Sequence, residues 1–180
     1  MKPISRSSLI TIRSITEADL LLDEIRASAA RAHKWIASFS GEPLELFKQM
    51  KFGPVGFHPL VNRPLNIVEQ INQTWTFATA LLAAKQLLAL HPDAGGYTLA
   101  PGAHASQDLD IMSVEPGLVG AEIFAAVSVN SNQKLRKDLA KLALRNELNR
   151  YIFFMVPKFE RTERLEQFEQ EGVNVWSVTL

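Results

Sequence analysis

The sequence predicts an α/β protein with a mixed central sheet of four to five strands flanked by helices. Three observations carry this. The N-terminal half holds two long stretches of apolar residues at steps of three and four. Residues 108–129 contain two apolar runs joined by the tight turn Glu115-Pro116-Gly117. Residues 118–156 then read as apolar run, charged amphipathic helix, apolar run. A helix between two strands implies a parallel pair joined by a right-handed crossover, whereas a tight turn implies an antiparallel pair.

Taken in order, Thr16 can cap a first helix in which Leu21, Ile25, Ala29, Ala32, Ile36 and Phe39 form one stripe, with a stop near Ser40-Gly41. Residues 42–51 read as a short second helix. Residues 52–64, with three prolines and two glycines, read as an irregular loop. Asn66 opens the longest helix, which runs to about Leu90. Pro92 disfavours helical geometry at His91 and ends it. Short strands are expected at 97–100, 108–114 and 118–129, a helix at 132–149 capped by Ser131, a strand at 151–156, a polar helix at 160–171 ended by Gly172, and a last strand at 173–178. Residues 1–60 thus read as an N-terminal helical extension and residues 61–180 as the α/β core of one compact domain.

The totals bound the function. The chain has 180 residues, 47% of them hydrophobic and 21% charged, enough for a sizeable core. Nineteen basic and nineteen acidic residues balance, which argues against a strongly basic, sequence-blind nucleic-acid binder but allows a local basic patch. There is no cysteine, so disulfides, zinc-thiolate sites, iron–sulfur clusters and a cysteine nucleophile are excluded. The N-terminus lacks the apolar run of a secretory signal. The longest apolar tract, 77–90, is interrupted by Thr79, Lys85 and Gln86, so no membrane span is expected and the cytoplasm is the expected location. No P-loop, dinucleotide-binding or nucleophile-elbow motif occurs.

The informative stretch is 108–127, DLDIMSVEPGLVGAEIFAAV, where Asp108, Asp110 and Glu122 sit among residues suited to a buried strand pair. A carboxylate in apolar surroundings is costly unless it is paired or binds a cation. Asp110 lies six residues before Pro116 and Glu122 six after it, so a simple hairpin sets them opposite each other. Two carboxylates on facing strands can share a hard divalent ion such as Mg²⁺ or Mn²⁺, which keeps several waters. Glu69, in the first turn of the longest helix, is a third candidate that can reach the same ion directly or through water.

A helix with an early Glu69, three strands with Asp110 on the second and Glu122 on the third, then a helix and a further strand resembles the PD-(D/E)XK nuclease superfamily, the restriction endonuclease-like fold. The resemblance covers about residues 66–156. It implies an αβββαβ core, a metal-dependent nuclease hydrolysing phosphodiester bonds, and nucleic acid as partner, DNA ahead of RNA. It implies Asp110, Glu122 and Glu69 as metal-site acids. The superfamily's lysine falls two residues after Glu122, where this chain has Phe124, and the proline before the aspartate is also missing. Some members supply the amine from the following helix, which makes Lys134 the first candidate and Lys137 the second.

Each residue also has a plainer reading. Glu69 is three residues after Asn66, a capping-box spacing. Asp108 can cap the transition from loop to strand. Glu122 can form a salt bridge to a lysine or arginine of a neighbouring helix. The helix at 131–150 carries six basic against two acidic side chains, which reads as a solvated face or as a patch turned to phosphate. None of the four histidines has metal-ligand spacing, and His104, in the loop before the acidic strand, is the one to test. Two further readings stand beside the nuclease. One is a non-catalytic nucleic-acid or protein interaction module on the same fold. The other is a plain α/β scaffold whose helices at 16–51 form an oligomer interface, which implies a homodimer.

Overall fold

The computed structural model describes residues 9–61, 63–101 and 107–180. His104 lies outside the described residues. The chain runs β1 (Ile10–Ile12), α1 (Ile15–Ser38), α2 (Pro43–Phe52), β2 (Gly56–Phe57), β3 (Pro64–Leu65), α3 (Ile67–Leu90), β4 (Tyr97–Leu99), β5 (Ile111–Ser113), β6 (Val119–Ala125), α4 (Lys134–Ala143), β7 (Asn149–Met155), β8 (Glu163–Arg164) and β9 (Val173–Ser177). Among the described residues the main sheet has seven strands in the order β1-β4-β5-β6-β7-β9-β8, and β2 and β3 form a separate small pair. From β1 through β6 neighbouring strands are antiparallel. β6, β7 and β9 are parallel, and β8 closes the sheet antiparallel to β9. The α/β class and the mixed sheet are as expected, and α3 is followed by three antiparallel strands, a helix and a strand parallel to the third.

The long helices form where the apolar stripes are. Ser14 accepts a hydrogen bond from the Glu17 amide at 3.2 Å, and Glu17 Oε2 accepts one from the Arg13 amide at 2.6 Å. This reciprocal arrangement starts α1 two residues before the expected cap, Thr16, which lies inside the helix. Asn66 caps α3 through its Oδ1, 2.8 Å from the Glu69 amide. In its second half α3 is apolar on most sides. Ala78, Ala80, Leu81, Ala83, Ala84 and Leu87 are all fully buried. Alanine on these positions lets α3 lie close to both α1 and the sheet, so α3 forms a middle layer. The opposite face of the sheet is covered by α4, whose Leu139 and Leu142 pack with Phe124, Ile152, Phe154 and Val175. Full burial of a side chain such as Leu142 stabilises the fold by about 1.5–3 kcal/mol.

Five expectations are corrected. The sheet is wider than four or five strands, because β1 and β8 add its borders. β1 comes from the first sixty residues and pairs with β4, so that region contributes a strand as well as helices. The segment 160–171 is not a helix. It forms β8 and a single 3₁₀ turn at Glu166–Phe168. Leu165 is drawn into the α4-side core, the Arg164 guanidinium makes two 2.8 Å bonds to the Glu169 carboxylate, and Glu171 and Gly172 turn the chain back through positive φ. The helix expected at 132–149 is shorter. Asn132 and Gln133 have φ of 53° and 55° and so cannot belong to it. At its other end, Arg150 Nη1 donates to the carbonyls of Leu142, Ala143 and Arg145, and Nη2 donates to that of Glu171. This guanidinium satisfies the carbonyls left over at the end of α4 and fixes where β7 begins. The strands expected at 108–114 and 118–129 are confined to β5 and β6.

Candidate functional site

Alternation along β6 sorts its side chains. Val119, Ala121 and Ile123 enter the core under α1 and α3, while Phe124 enters the core under α4. Glu122, of the same parity as Phe124, points to the α4 side and is only 3% exposed. Gly120 shares that face. A Cβ there would meet Leu109 Cδ1 at 2.5 Å and Glu147 Cγ at 3.0 Å, so glycine lets the Leu109 and Glu147 side chains close in.

The pairs Ile111 with Ala121 and Met112 with Gly120 set the hairpin register. Continued by one residue, it brings Asp110 opposite Glu122, as counting from Pro116 predicts. Asp110 Oδ2 accepts a 3.0 Å hydrogen bond from the Ile123 amide, which ties the aspartate to the strand position next to Glu122. Both acids open on a cleft of about 510 Å³, lined also by Thr76, Phe124, Lys134 and Lys141.

Two lysines of α4 reach Glu122. Lys141 Nζ is 2.5 Å from Glu122 Oε1. Lys134 Nζ is 3.7 Å from Glu122 Oε2 and 2.7 Å from Asp138 Oδ1. Lys134, Asp138 and Lys141 are spaced i, i+4, i+7 and so share one helical face. The salt bridge from Glu122 to a neighbouring helix, one of the two readings of that residue, is therefore present. Asp138 is 3% exposed, and its Oδ2 has no hydrogen-bond partner among the described residues.

The electrostatics follow from this crowding. Burial first, and the Glu122 charge second, raise the Asp110 carboxyl to about 6, against the pull of the Ile123 amide and Lys134. Burial likewise raises Asp138 to about 6 although Lys134 bonds to it. For Lys134, burial is the largest single influence and disfavours the charge. The Asp138 hydrogen bond together with the Asp138, Glu122 and Asp110 charges outweighs it, so its ammonium is held above the usual lysine range. The cleft is thus a compact set of acids and amines in a partly desolvated space, where charge interactions are stronger than in water.

No protein-family model, curated protein or solved structure matches this chain. The site is read from its own geometry. Among the described residues no helix is long and apolar enough to cross a membrane.

The sequence-derived residues separate into two groups. Asp110, Glu122 and Lys134 come together in the cleft. Glu69 is exposed, donates its amide to Asn66 and does not line the cleft. Lys137 does not line it either. Asp108 lines the rim and accepts from Arg145 Nη1 at 3.0 Å, while the same guanidinium binds Glu147. Phe124, where the resembled family has lysine, is buried and stacked on Phe154 with centroids 5.4 Å apart. Sequence reasoning missed Lys141 and Asp138. Their signal was available in the helical spacing from Lys134, because any residue on that face looks at the even-numbered side of β6.

Proposed function

We propose that this cleft is the site of a metal-dependent phosphodiesterase of nuclease type, acting on nucleic acid, DNA ahead of RNA. One observation carries the reading: Asp110 and Glu122 oppose each other on adjacent strands, in a cleft where Lys134 and Lys141 converge on the same acid. The order α3, β4, β5, β6, α4, β7 supports the resemblance to the restriction endonuclease-like core, since β4 to β6 are antiparallel and β7 is parallel to β6.

Among the described residues no group of three or more His, Cys, Asp or Glu side chains is set to hold a metal. A transition metal in an all-protein cage does not fit this site. A Mg²⁺ or Mn²⁺ ion that keeps most of its waters fits, because such ions are commonly held by one or two carboxylates. Asp110 and Glu122 would hold it, and a bound cation would offset both causes that raise Asp110, burial of the charge first and the Glu122 charge second. When bound, the ion supplies an activated water and offsets negative charge on the phosphoryl oxygens. The chain's own residues do the rest. The Ile123 amide fixes the Asp110 carboxylate. Asp138 anchors Lys134 within reach of the cleft, and Lys141 supplies a second ammonium for an anionic substrate. These two amines take the place left by Phe124.

A second reading, a non-catalytic nucleic-acid or protein interaction module on the same fold, is favoured by the direct Lys141–Glu122 contact, since that acid already has a partner charge. Metal-dependent cleavage of plasmid and single-stranded substrates decides between them, using wild type, Glu122→Ala, Lys134→Ala and Lys141→Ala. The nuclease reading expects Mg²⁺-dependent cleavage that falls by about two orders of magnitude or more in Glu122→Ala, and falls in at least one lysine variant. Folded wild type with no activity under any divalent ion, but with retained nucleic-acid binding, selects the interaction module.

A further inference from the structure

The helix α2 contributes no buried residue to the protein. Its outward face instead carries Leu44, Phe47 and Phe52, which are 71%, 66% and 77% exposed, along a shallow groove of about 430 Å³. Three large apolar side chains within little more than two helical turns are unusual for a face turned to water. The charges on the same groove are segregated. Glu42 and Glu45 occupy the N-terminal end, Lys48 and Lys51 the C-terminal end. Glu42 and Lys51 are equidistant in sequence from the Leu46–Phe47 bond, and so are Glu45 and Lys48. Both acid–base pairs therefore share one centre.

From this we infer that the α2 face is the interface of a homodimer, in which two α2 helices pack antiparallel about a two-fold axis near Phe47. A two-fold axis pairs each residue with its mirror position along the partner helix. Here that sets Glu42 against Lys51 and Glu45 against Lys48 of the second copy, with the two Phe47 rings on either side of the axis, each at the mirror position of Leu46, and Leu44 and Phe52 flanking them. A parallel arrangement would set like charges side by side. The pattern is self-complementary in one orientation, which is the argument for a second copy over an unrelated partner. The Glu45–Lys48 bridge within each helix, at 3.1 Å between exposed side chains, contributes little and can exchange for its intermolecular counterpart.

The test is the oligomeric state of the full chain by sedimentation equilibrium and multi-angle light scattering, for wild type, Phe47→Ser, Glu45→Lys and Lys48→Glu, with far-UV circular dichroism to confirm folding. Wild type is expected to be a concentration-dependent dimer. Each charge reversal sets like charges against each other and is expected to raise the dissociation constant by at least about tenfold. Mixing Glu45→Lys with Lys48→Glu restores opposite charges at every contact, so heterodimer is expected to form where neither variant dimerises alone. A wild type that stays monomeric to near-millimolar concentration overturns the proposal and leaves the face to another occupant. A dimer indifferent to Phe47→Ser and to both reversals overturns it as well, as does a mixture that fails to re-associate.

Discussion

Asp110→Asn probes the electrostatics of the cleft without opening a cavity. The amide oxygen can still accept from the Ile123 amide, and its NH₂ can donate to Glu122, while the repulsion between two adjacent carboxylates is removed. The Asp110 carboxyl rises from the ordinary 3.8 to about 6 in the folded protein, a rise equivalent to about 3 kcal/mol at most. Because the side chain is only half-buried and water screens it, about 1–2 kcal/mol is the realistic share. The sign follows from proton linkage. The folded state binds this proton more tightly than the unfolded chain, so the residue's contribution to stability is complete below about pH 3.8 and is lost as pH rises through about 6. Asparagine carries no such dependence. Urea unfolding from pH 4 to pH 8 should show the variant little different from wild type near pH 4, then progressively more stable, with the gain levelling above pH 6–7. In the nuclease reading the same variant loses its activity and its response to Mg²⁺. A stability difference that is constant across this range, or a variant less stable at pH 8, would refute the reasoning that Asp110 and Glu122 repel one another in the folded cleft.

Other outcomes are equally specific. Added Mg²⁺ should raise the melting temperature of wild type by mass action and leave Glu122→Ala unmoved, which calorimetry can measure. The His58 imidazole, lowered to about 4 by burial first and by the Arg63 charge second, accepts at Nδ1 from the Leu60 and Val61 amides. Its NMR titration should have a midpoint near pH 4, and the stability it contributes, complete above about 6.5, should be lost as pH falls through about 4. Arg150→Ala should destabilise the protein by about 2–3 kcal/mol in denaturant titration, because the carbonyls of Ala143, Arg145 and Glu171 lose the guanidinium, while that of Leu142 keeps the Arg145 amide. Lysine should not restore it, lacking a planar fork of donors. Gly120→Ala should cost about 1–3 kcal/mol, since the added methyl group collides with buried Leu109.

The parts of this protein that were legible in the sequence are those fixed by short-range chemistry. The α3 start is written in Asn66 and Glu69, its stop in Pro92, and the pairing of Asp110 with Glu122 in the position of Pro116. The parallel β6–β7 pair follows from a helix between two apolar runs. What was not legible depends on contacts distant in sequence. Ile10-Thr11-Ile12 is too short to announce a strand, and becomes one because Tyr97–Leu99 offers an unpaired edge. Residues 160–171 have helical composition, yet Leu165 and Phe168 are claimed by a core built from Phe154 and Val175, and tertiary packing overrides propensity. At the site, the lysine expected from the sequence, Lys134, lies at the start of α4, nearest in sequence to Phe124. The closest amine to Glu122 comes from Lys141, two turns further along, because α4 runs back across the strand.

The borders of the sheet have a consequence for solubility. A long apolar strand with free amides and carbonyls is a template on which other chains can add. Here the outermost strands are three and two residues long, β1 and β8, and β8 consists of the exposed charged pair Glu163 and Arg164. Lys, Glu and Arg at a short border discourage such growth. Behind these two caps lie β4, with buried Tyr97 and Leu99, and β9, with buried Val173 and Val175. A nick or truncation that strips β8, neither of whose side chains is buried, would leave the molecule's interior nearly intact and yet turn a self-contained sheet into a seed for aggregation, whereas loss of β1 would also take buried Ile12 out of the core.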